Sequence, residues 1–473
     1  MIPIDIFTGR DVAVFGLGVS GIAAAKALST GGAHVFAWDD HPEKRWKADE
    51  QNVQTGDLST ADWSRFAALI LSPGIPLTHP TPHWIVKKAQ ESGVEIIGDT
   101  ELFFRQREAE GSNAKVIVVT GTNGKSTTTA LTAHLLRESG RNVQEGGNIG
   151  RAVLDLEPFA DDAIYVLELS SFQIDLTPSL HPNAAALLNI TPDHLDRHGS
   201  LENYAAIKAR VFEKMGEGDT AVIGVDDPET RKIAESLTGP YAVKQISAEH
   251  EVPEGVYAED AELFEIGNDK RGDEVSIEGI SALRGVHNWQ NAAAAYALVR
   301  SQGLTLQEVE LGLRTFPGLS HRMQLVGKLG RLLFINDSKA TNADAAGKAL
   351  AALDNIYWIV GGRAKEGGLK GLDRYYEKIN KAYLIGEAAE DFDKALGDDL
   401  EHTISGTLEE ALKQATEDAI AAANPHESVV LLSPACASYD QFDNFEKRGE
   451  AFIDAVLAID DVIPADSDGD APE

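Results

Sequence analysis

Strand-length apolar runs alternate with helix-like segments along nearly the whole 473-residue chain. The runs fall at 12–15, 33–38, 68–71 and 94–97, then at 116–119, 163–169, 184–190 and 221–225. A last set lies at 332–335, 356–360, 382–385 and 429–432. Short continuous apolar runs read as strands buried on both faces. Segments between them, such as 408–423, repeat apolar residues at three- and four-residue spacing, as a helix with one buried stripe does. Strands that alternate with helices pair in parallel, because a parallel crossover needs a long return. The expected fold class is α/β, with mainly parallel sheets and helices on both faces.

At about 150 residues per domain the length suits roughly three domains. A polar, Gly- and Ser-containing stretch at 105–115 separates two strongly patterned regions, and the Pro317-Gly318 turn precedes a new strand set. The expected domains are 1–111, 112–317 and 318–473. The acidic, weakly patterned stretch 245–278 is expected to be β-rich decoration of the second. No repeat of 20–50 residues is present. Residues 449–473 hold eight acids and no base, and 464–473 are expected to form a disordered, solvated tail.

The net charge of −33 excludes a free-standing nucleic-acid binder, because such a surface repels phosphate polymers. It does not exclude small anions, which need only a nest of amides and a cation or two. A single cysteine, Cys436, excludes a disulfide framework and any cysteine-rich zinc site. It reads as a small packed residue. No run of about 20 apolar residues exists to span a bilayer, and the N-terminus has no basic leader pattern. A soluble, cytoplasmic enzyme is expected.

Three groups of loops carry candidate chemistry. Gly16-Leu17-Gly18-Val19-Ser20-Gly21 follows the run 12–15 and opens a helix, and Asp39 ends the next strand. This is the form of a dinucleotide fingerprint: a tight turn, close backbone approach and a helix N-terminus that attracts an anion. The same glycines would also serve a turn that needs them only for packing. The amides read phosphate rather than the base, so NAD is a weaker reading than a phosphate ligand in general.

Thr120-Gly121-Thr122-Asn123-Gly124-Lys125-Ser126-Thr127 follows the run 116–119 and precedes a helix expected over 128–138. Val119 stands where the strict phosphate-loop pattern has glycine, so the match is partial. The physical parts are present. Gly121 and Gly124 free amides to face phosphate, Lys125 supplies a cation, and Ser126 offers a hydroxyl to Mg²⁺. Glu168, at the end of a buried strand, stands where a magnesium-supporting carboxylate belongs, or is a wet strand-end acid. His194, in Thr191-Pro-Asp-His, is a metal or phosphate ligand, or an exposed loop histidine. Lys208 looks like an ordinary helix lysine.

In the last third, Asn336-Asp337-Ser338-Lys339-Ala340-Thr341-Asn342, Gly361-Gly362-Arg363-Ala364-Lys365 and Ser433-Pro434-Ala435-Cys436-Ala437-Ser438 each follow a strand. The carboxyl ends of strands are where open α/β sheets bind ligands. Lys339, Arg363 and Lys365 would form a cationic mouth there.

Read in order, TGTNGKST (120–127), GGNIG (146–150), LELSSFQ (167–173), DHLDRHG (193–199), HNWQN (287–291), HRMQ (321–324), NDSKATN (336–342) and SPACASYDQFDNFEKRG (433–449) resemble the Mur ligase superfamily. LELSSFQ and the last segment point to its D-glutamate-adding branch, and the DNPR signature of the diaminopimelate-adding branch is absent. The resemblance covers the chain from the first glycine loop to about Phe452. It implies a Rossmann-like N-terminal domain, a central P-loop ATPase-like domain and a Rossmann-like C-terminal domain.

It also implies UDP, and no NAD, in the first domain. Val19, Ser20, Asp39, Asp40, Ser72, Pro73 and Gly74 match uridine and diphosphate contacts, and Asn148 a muramoyl contact. His41 stands where the family often has arginine. Gly121, Thr122, Asn123, Gly124, Lys125, Ser126 and Thr127 match the ATP loop, and Asn288 and Asn291 further ATP contacts. Arg322, Asp337 and Lys339 match groups that close over ATP. Glu168 and His194, with Ser126, match ligands of one or two Mg²⁺ ions, and Lys208 matches a lysine carbamylated in the family. Thr341, Lys365, Ser438 and Phe445 match a D-glutamate pocket.

The implied reaction adds D-glutamate to UDP-N-acetylmuramoyl-L-alanine in peptidoglycan precursor synthesis, through an acyl phosphate made from ATP. Lys125, Glu168, His194, Lys208 and Lys339 would carry it in a monomeric protein, with domain closure assembling the site. A dehydrogenase on the first loop, an ATP-binding scaffold without turnover, and a folylpolyglutamate-type ligase are the competing readings.

Overall fold

The computed structural model describes residues 1–267, 270–365 and 367–465. It contains three sheets, and each follows one of the strand sets read from the sequence.

The first holds β1 (Asp11–Phe15), β2 (His34–Trp38), β3 (Phe66–Leu71) and β4 (Glu95–Ile97), all parallel, in the order β2-β1-β3-β4. The second begins with β5 (Lys115–Thr120), β6 (Asn142–Gly147), β7 (Ala163–Glu168), β8 (Ala184–Leu187), β9 (Thr220–Gly224) and β10 (Ala242–Ser247). It continues with β11 (Gly255–Glu259), β12 (Glu262–Gly267) and β13 (Lys270–Ser276), in the order β13-β12-β11-β10-β9-β8-β5-β7-β6. Only β12 pairs antiparallel, with β11 and β13, so the stretch expected to be β-rich decoration is a β-meander on the sheet edge.

The third sheet holds β14 (Gln324–Leu329), β15 (Leu332–Asn336), β16 (Ile356–Gly361), β17 (Ile379–Ile385), β18 (His402–Gly406), β19 (Ser428–Leu432) and β20 (Ile463–Pro464). Their order is β18-β17-β16-β19-β15-β14-β20, with β14 antiparallel to both neighbours.

The chain forms two compact units: Met1–Glu278 with Val286–Phe316, and Gly279–Gly285 with the chain from Pro317 onward. In the first unit one apolar core runs from Ile2 and Val12 under the first sheet to Leu167 and Ile223 under the second. In the second, alternate residues of β15 enter two cores: Leu333 and Ile335 pack with Trp358, and Leu332 and Phe334 with Tyr383. A strand turns successive side chains to opposite faces, so burial on both sides leaves an unbroken apolar run.

Two expectations are corrected. The helix after the phosphate loop spans Lys125–Glu138, so Lys125, Ser126 and Thr127 form its first turn. Gly124 caps it at φ +83°, a conformation that costs glycine nothing. The tail expected to be disordered from residue 464 starts inside a strand: Ile463 pairs with Lys328 and Pro464 with Gly327. The rest of that tail, 466–473, lies outside the described residues.

Candidate active site

In the first domain the glycine loop is shaped by close approach. A Cβ on Gly16, at φ +92°, would lie 2.7 Å from Ser72 Cβ, and one on Gly21 would lie 1.8 Å from the Gly16 carbonyl oxygen. The helix Val19–Thr30 follows with Gly18 as its cap and no side-chain cap hydrogen bond, leaving its first amides for a ligand. Asp39 lies beneath this turn. Its carboxylate accepts from the backbone N–H of Leu17 at 2.8 Å and of His41 at 3.0 Å. Burial opposes its ionisation, but those amides and Lys44, 3.4 Å away, hold its pKa below the usual carboxylate range. Asp40 accepts from Trp84 Nε1 at 3.1 Å and lies 3.2 Å from His83 Nε2.

A cleft of about 600 Å³ opens here. Val19, Ser20, Asp39, Asp40, Ser72, Pro73, Gly74 and Asn148 all line it, as does His41. Sequence reasoning missed Lys44, His83 and Gln173, which also line it. Gln173 was legible in principle. Ser170 and Gln173 form a reciprocal capping box, and S-x-x-Q is its sequence signature.

The phosphate loop leaves the carboxyl end of β5, between β7 and β8. The chain crosses there from one side of the sheet to the other, a switch point that favours ligand binding. Asn189 braces the loop: Thr122 N donates to its carbonyl and Asn123 N to its side chain, both at 2.8 Å. A Cβ on Gly124 would lie 2.1 Å from Asn291 Oδ1, so only glycine fits beneath that residue. Asn291 donates to Asn288 Oδ1 at 3.1 Å on the helix Val286–Ser301.

Lys125 and Lys208 converge on one carbonyl. Lys125 Nζ donates to the Gly121 oxygen at 3.0 Å and to that of Thr122 at 2.8 Å. Lys208 Nζ donates to the same Gly121 oxygen at 2.8 Å and to Thr120 Oγ1 at 3.2 Å. Far from being an ordinary helix lysine, Lys208 is 1 % exposed. Burial, and then the charge of Lys125, push its pKa well below the normal range of an amine.

Glu168 is buried. Its Oε1 accepts from Asn148 Nδ2 at 2.8 Å, while Oε2 is shielded from solvent and has no hydrogen-bond partner. A buried carboxylate oxygen without a partner is costly unless a cation or proton meets it. Ser126 and Thr127 are buried in the first helical turn. His194 sits at φ +51° before the short helix Leu195–His198, exposed, its ring 5.0 Å from that of Phe172.

Among the described residues, one other group could share an ion: Asp226, Glu249 and His250. Asp226 is already spent on Ser247 Oγ, Ala248 N and Gln290 Nε2.

In the second unit the three predicted loops leave adjacent strands, β16, β19 and β15, and are tied together. Arg363 and Ala437 exchange backbone hydrogen bonds of 2.8 and 3.0 Å. The buried Arg448 donates to Ser338 Oγ at 3.0 Å, to the Ser338 carbonyl at 2.8 Å and to that of Cys436 at 3.1 Å. Asp337 accepts from Ser433 Oγ at 2.8 Å and Met323 N at 3.2 Å. Burial pushes its pKa up to about 7, against a smaller opposing pull from these donors and Arg322. Lys339 Nζ lies 5.5 Å over the Phe445 ring, and Lys365 Nζ donates to Thr341 Oγ1 at 3.4 Å. Ser438 is buried in the loop after β19. Arg363 is held by both carboxylate oxygens of Glu387 at 3.0 Å, so that cation is already paired. Burial raises the Cys436 thiol to about 12, which fits a packed residue rather than a nucleophile.

Residues 10–98 match the Mur ligase MurD-like N-terminal domain, 119–299 the Mur ligase middle domain, and 321–436 the Mur ligase glutamate ligase domain. A UDP-N-acetylmuramoylalanine--D-glutamate ligase of Chelativorans sp. (strain BNC1) is 55% identical over 461 residues, 97% of this chain and 98% of that one. The protein of the same name from Brucella abortus (strain 2308) is 54% identical over 466 residues, 98% and 99% of the two chains. Among solved structures, the UDP-N-acetylmuramate-alanine ligase MurC of Thermotoga maritima superposes with a TM-score of 0.57 at 19% identity. That superposition covers 95% of this chain and 99% of that one, and shows a shared fold. The chain belongs to the Mur ligase family, with an N-terminal, a middle and a C-terminal Mur ligase domain in one α/β polypeptide.

Proposed function

We propose that this chain joins the alanyl carboxylate of UDP-N-acetylmuramoyl-L-alanine to the amine of D-glutamate, with ATP converted to ADP and phosphate, in peptidoglycan precursor synthesis. The near full-length identity to ligases of that name supports the substrates. One observation carries the chemistry. Asn148 lines the nucleotide-sugar cleft and donates to Glu168, the acid beside the phosphate loop. That 2.8 Å hydrogen bond supports a carboxylate site lying next to a triphosphate site.

On this reading 1–111 hold the UDP substrate, 112–317 hold ATP, and 318–473 hold the amino acid. Val19, Ser20, Asp39, Asp40, Ser72, Pro73 and Gly74 contact the nucleotide, and Asn148 the muramoyl arm. Gly121 to Thr127 cradle the phosphates, and Asn288, Asn291, Arg322 and Asp337 complete the ATP contacts. Thr341, Lys365, Ser438 and Phe445 hold D-glutamate.

The alanyl carboxylate attacks the γ-phosphorus, the bond to the β-phosphate oxygen breaks, and an acyl phosphate forms. The amine of D-glutamate then attacks the acyl carbon, phosphate leaves, and the surplus proton passes to solvent. The carboxylate and the γ-phosphate both start anionic, so Lys125 and Lys339 serve by offsetting repulsion as charge shifts. The depressed pKa of Lys208 favours the neutral amine, the form that adds carbon dioxide. Carbamylation forms a C–N bond, releases a proton, and turns the neutral amine into an anionic oxygen ligand. The unpartnered Glu168 Oε2 fits a divalent cation. Ser126, Glu168, His194 and carbamylated Lys208 would hold one or two Mg²⁺ ions, which neutralise triphosphate charge as a Lewis acid when bound.

No helix among the described residues is long and apolar enough to cross a membrane. The reading is of a monomer working in the cytoplasm.

The test is phosphate release from MgATP with UDP-N-acetylmuramoyl-L-alanine and one amino acid at a time. D-Glutamate alone should support turnover, against L-glutamate, D-aspartate and diaminopimelate. Equal release with diaminopimelate would overturn the assignment.

A further inference from the structure

We infer that Arg197 is a positioning residue, which fastens the Ser72-Pro73-Gly74 wall of the nucleotide-sugar cleft to the loop that carries His194. The inference rests on the ligase reading above and deepens it. Arg197 comes from the middle domain, yet its Nη1 donates to the Gly74 carbonyl at 3.0 Å and its Nη2 to the Pro73 carbonyl at 3.4 Å. Both accepting residues line the cleft. The guanidinium also lies 4.6 Å from the centre of the Phe172 ring.

Phe172 is itself a junction. His194 packs against it at 5.0 Å, and His198 stacks on it at 5.1 Å with ring planes 13° apart. It lies between Ser171, which is hydrogen-bonded to His198 Nε2 at 2.9 Å, and the cleft-lining Gln173. A second contact is made two residues further on. A Cβ on Gly199 would lie 2.8 Å from His79 Nε2, so this glycine lets the middle-domain loop press on the same first-domain segment.

Arginine suits this position for a physical reason. Its planar fork can donate in two directions while its face stacks on an aromatic ring. Lysine offers a point charge that can reach one carbonyl but cannot stack flat. Carbonyl oxygens of a cleft wall carry no sequence information, so the contact sets the wall's place rather than its chemistry. The wall that shapes the sugar-nucleotide site is therefore aligned with the acid and histidine beside the phosphate loop. A misplacement of about 1 Å there is enough to lower turnover.

The experiment compares wild type with R197A, R197K and G199A, in steady-state kinetics and in binding of a non-hydrolysable ATP analogue with Mg²⁺. R197A is expected to raise KM for UDP-N-acetylmuramoyl-L-alanine at least about tenfold and to lower kcat. KM for D-glutamate and the analogue Kd should stay within about twofold. R197K should fall between, and G199A, which leaves the arginine in place, should raise the same KM. A tie needed only for stability would lower the melting temperature and leave the KM values alone. That result, or an equal rise for all three substrates, overturns the inference. If wild type itself makes no product from these substrates, the ligase reading fails instead, and the two failures stay distinct.

Discussion

Asp337→Asn should make the C-terminal unit more stable in alkali while impairing catalysis. Asp337 is 5 % exposed, and its carboxyl titrates at about 7 against an ordinary 3.8. A group whose folded pKa is raised takes up a proton on folding. Its contribution to stability is complete below pH 3.8 and is lost as pH rises through 7. Within that window the loss approaches about 1.4 kcal/mol per pH unit, so between pH 5 and pH 8 the native protein should lose roughly 2–3 kcal/mol from this group.

An asparagine keeps the shape and never ionises. It can still accept from Met323 N and can donate to Ser433 Oγ, the two contacts the acid makes. The advantage of the variant should therefore grow by roughly 2–3 kcal/mol over that range, less where water reaches the site. Urea unfolding followed by fluorescence measures it. Trp358 is the only tryptophan of the second unit, and its Nε1 donates to the Ser433 carbonyl at 2.8 Å, next to the perturbed group. The five other tryptophans can be replaced with phenylalanine. A stability difference that stays flat from pH 5 to pH 8 would refute the reasoning. So would one that shrinks, since that is the sign for a depressed carboxyl.

Gly124→Ala should weaken nucleotide binding strongly, because it combines a positive φ with a Cβ 2.1 Å from Asn291 Oδ1. The backbone strain alone costs roughly 1–2 kcal/mol, and the Asn288–Asn291 contact must shift as well. Equilibrium dialysis with an ATP analogue should show at least about tenfold weaker binding; unchanged binding would mean the loop opens freely. Lys208→Met should abolish phosphate release while leaving the melting temperature of the first unit level or higher. Methionine fills the same space without a polar amine to desolvate, and Lys125 still serves the Gly121 carbonyl. Residual turnover above about one per cent of wild type would show that no ligand at this position is needed.

Most strands legible in the sequence have neighbours on both sides, although the edge strands β2 and β4 of the first sheet read as apolar runs too. β5, β7, β15, β16 and β19 read directly as apolar runs. The strands not read as apolar runs include β6, β18 and β20 at sheet edges, β14 beside one, and β10 inside the second sheet, while β13 fell in the stretch expected to be β-rich. An edge strand is half solvated, so NVQEGG and KRGDEVS carry no apolar run. Loop chemistry was legible where spacing encodes it, in the phosphate loop and the first glycine loop. Lys208 was not, because burial of a lysine depends on what packs over it, and the helix Leu201–Ala209 shows no clear amphipathic stripe. The partnerless oxygen of Glu168 and the clamp at Arg197 likewise depend on pairs distant in sequence. Of the first loop, the glycine spacing foretold the turn but not the bracing role of Asp39. Its carboxylate accepts from the Leu17 and His41 amides, a contact between residues that spacing does not join.

The short return at Ile463–Pro464 has a bearing on self-association. Those residues lie along β14, and Gly327 admits Val462 so closely that a Cβ there would come within 2.8 Å of it. A polypeptide cut ahead of Val462 would bare the outer backbone groups of Gly327 and Lys328, a template onto which a second molecule can zipper. Proline at the outermost place withholds one donor and so discourages a further strand from joining. Ile463 and Pro464 thus act as a selvedge that seals the weave of the third sheet.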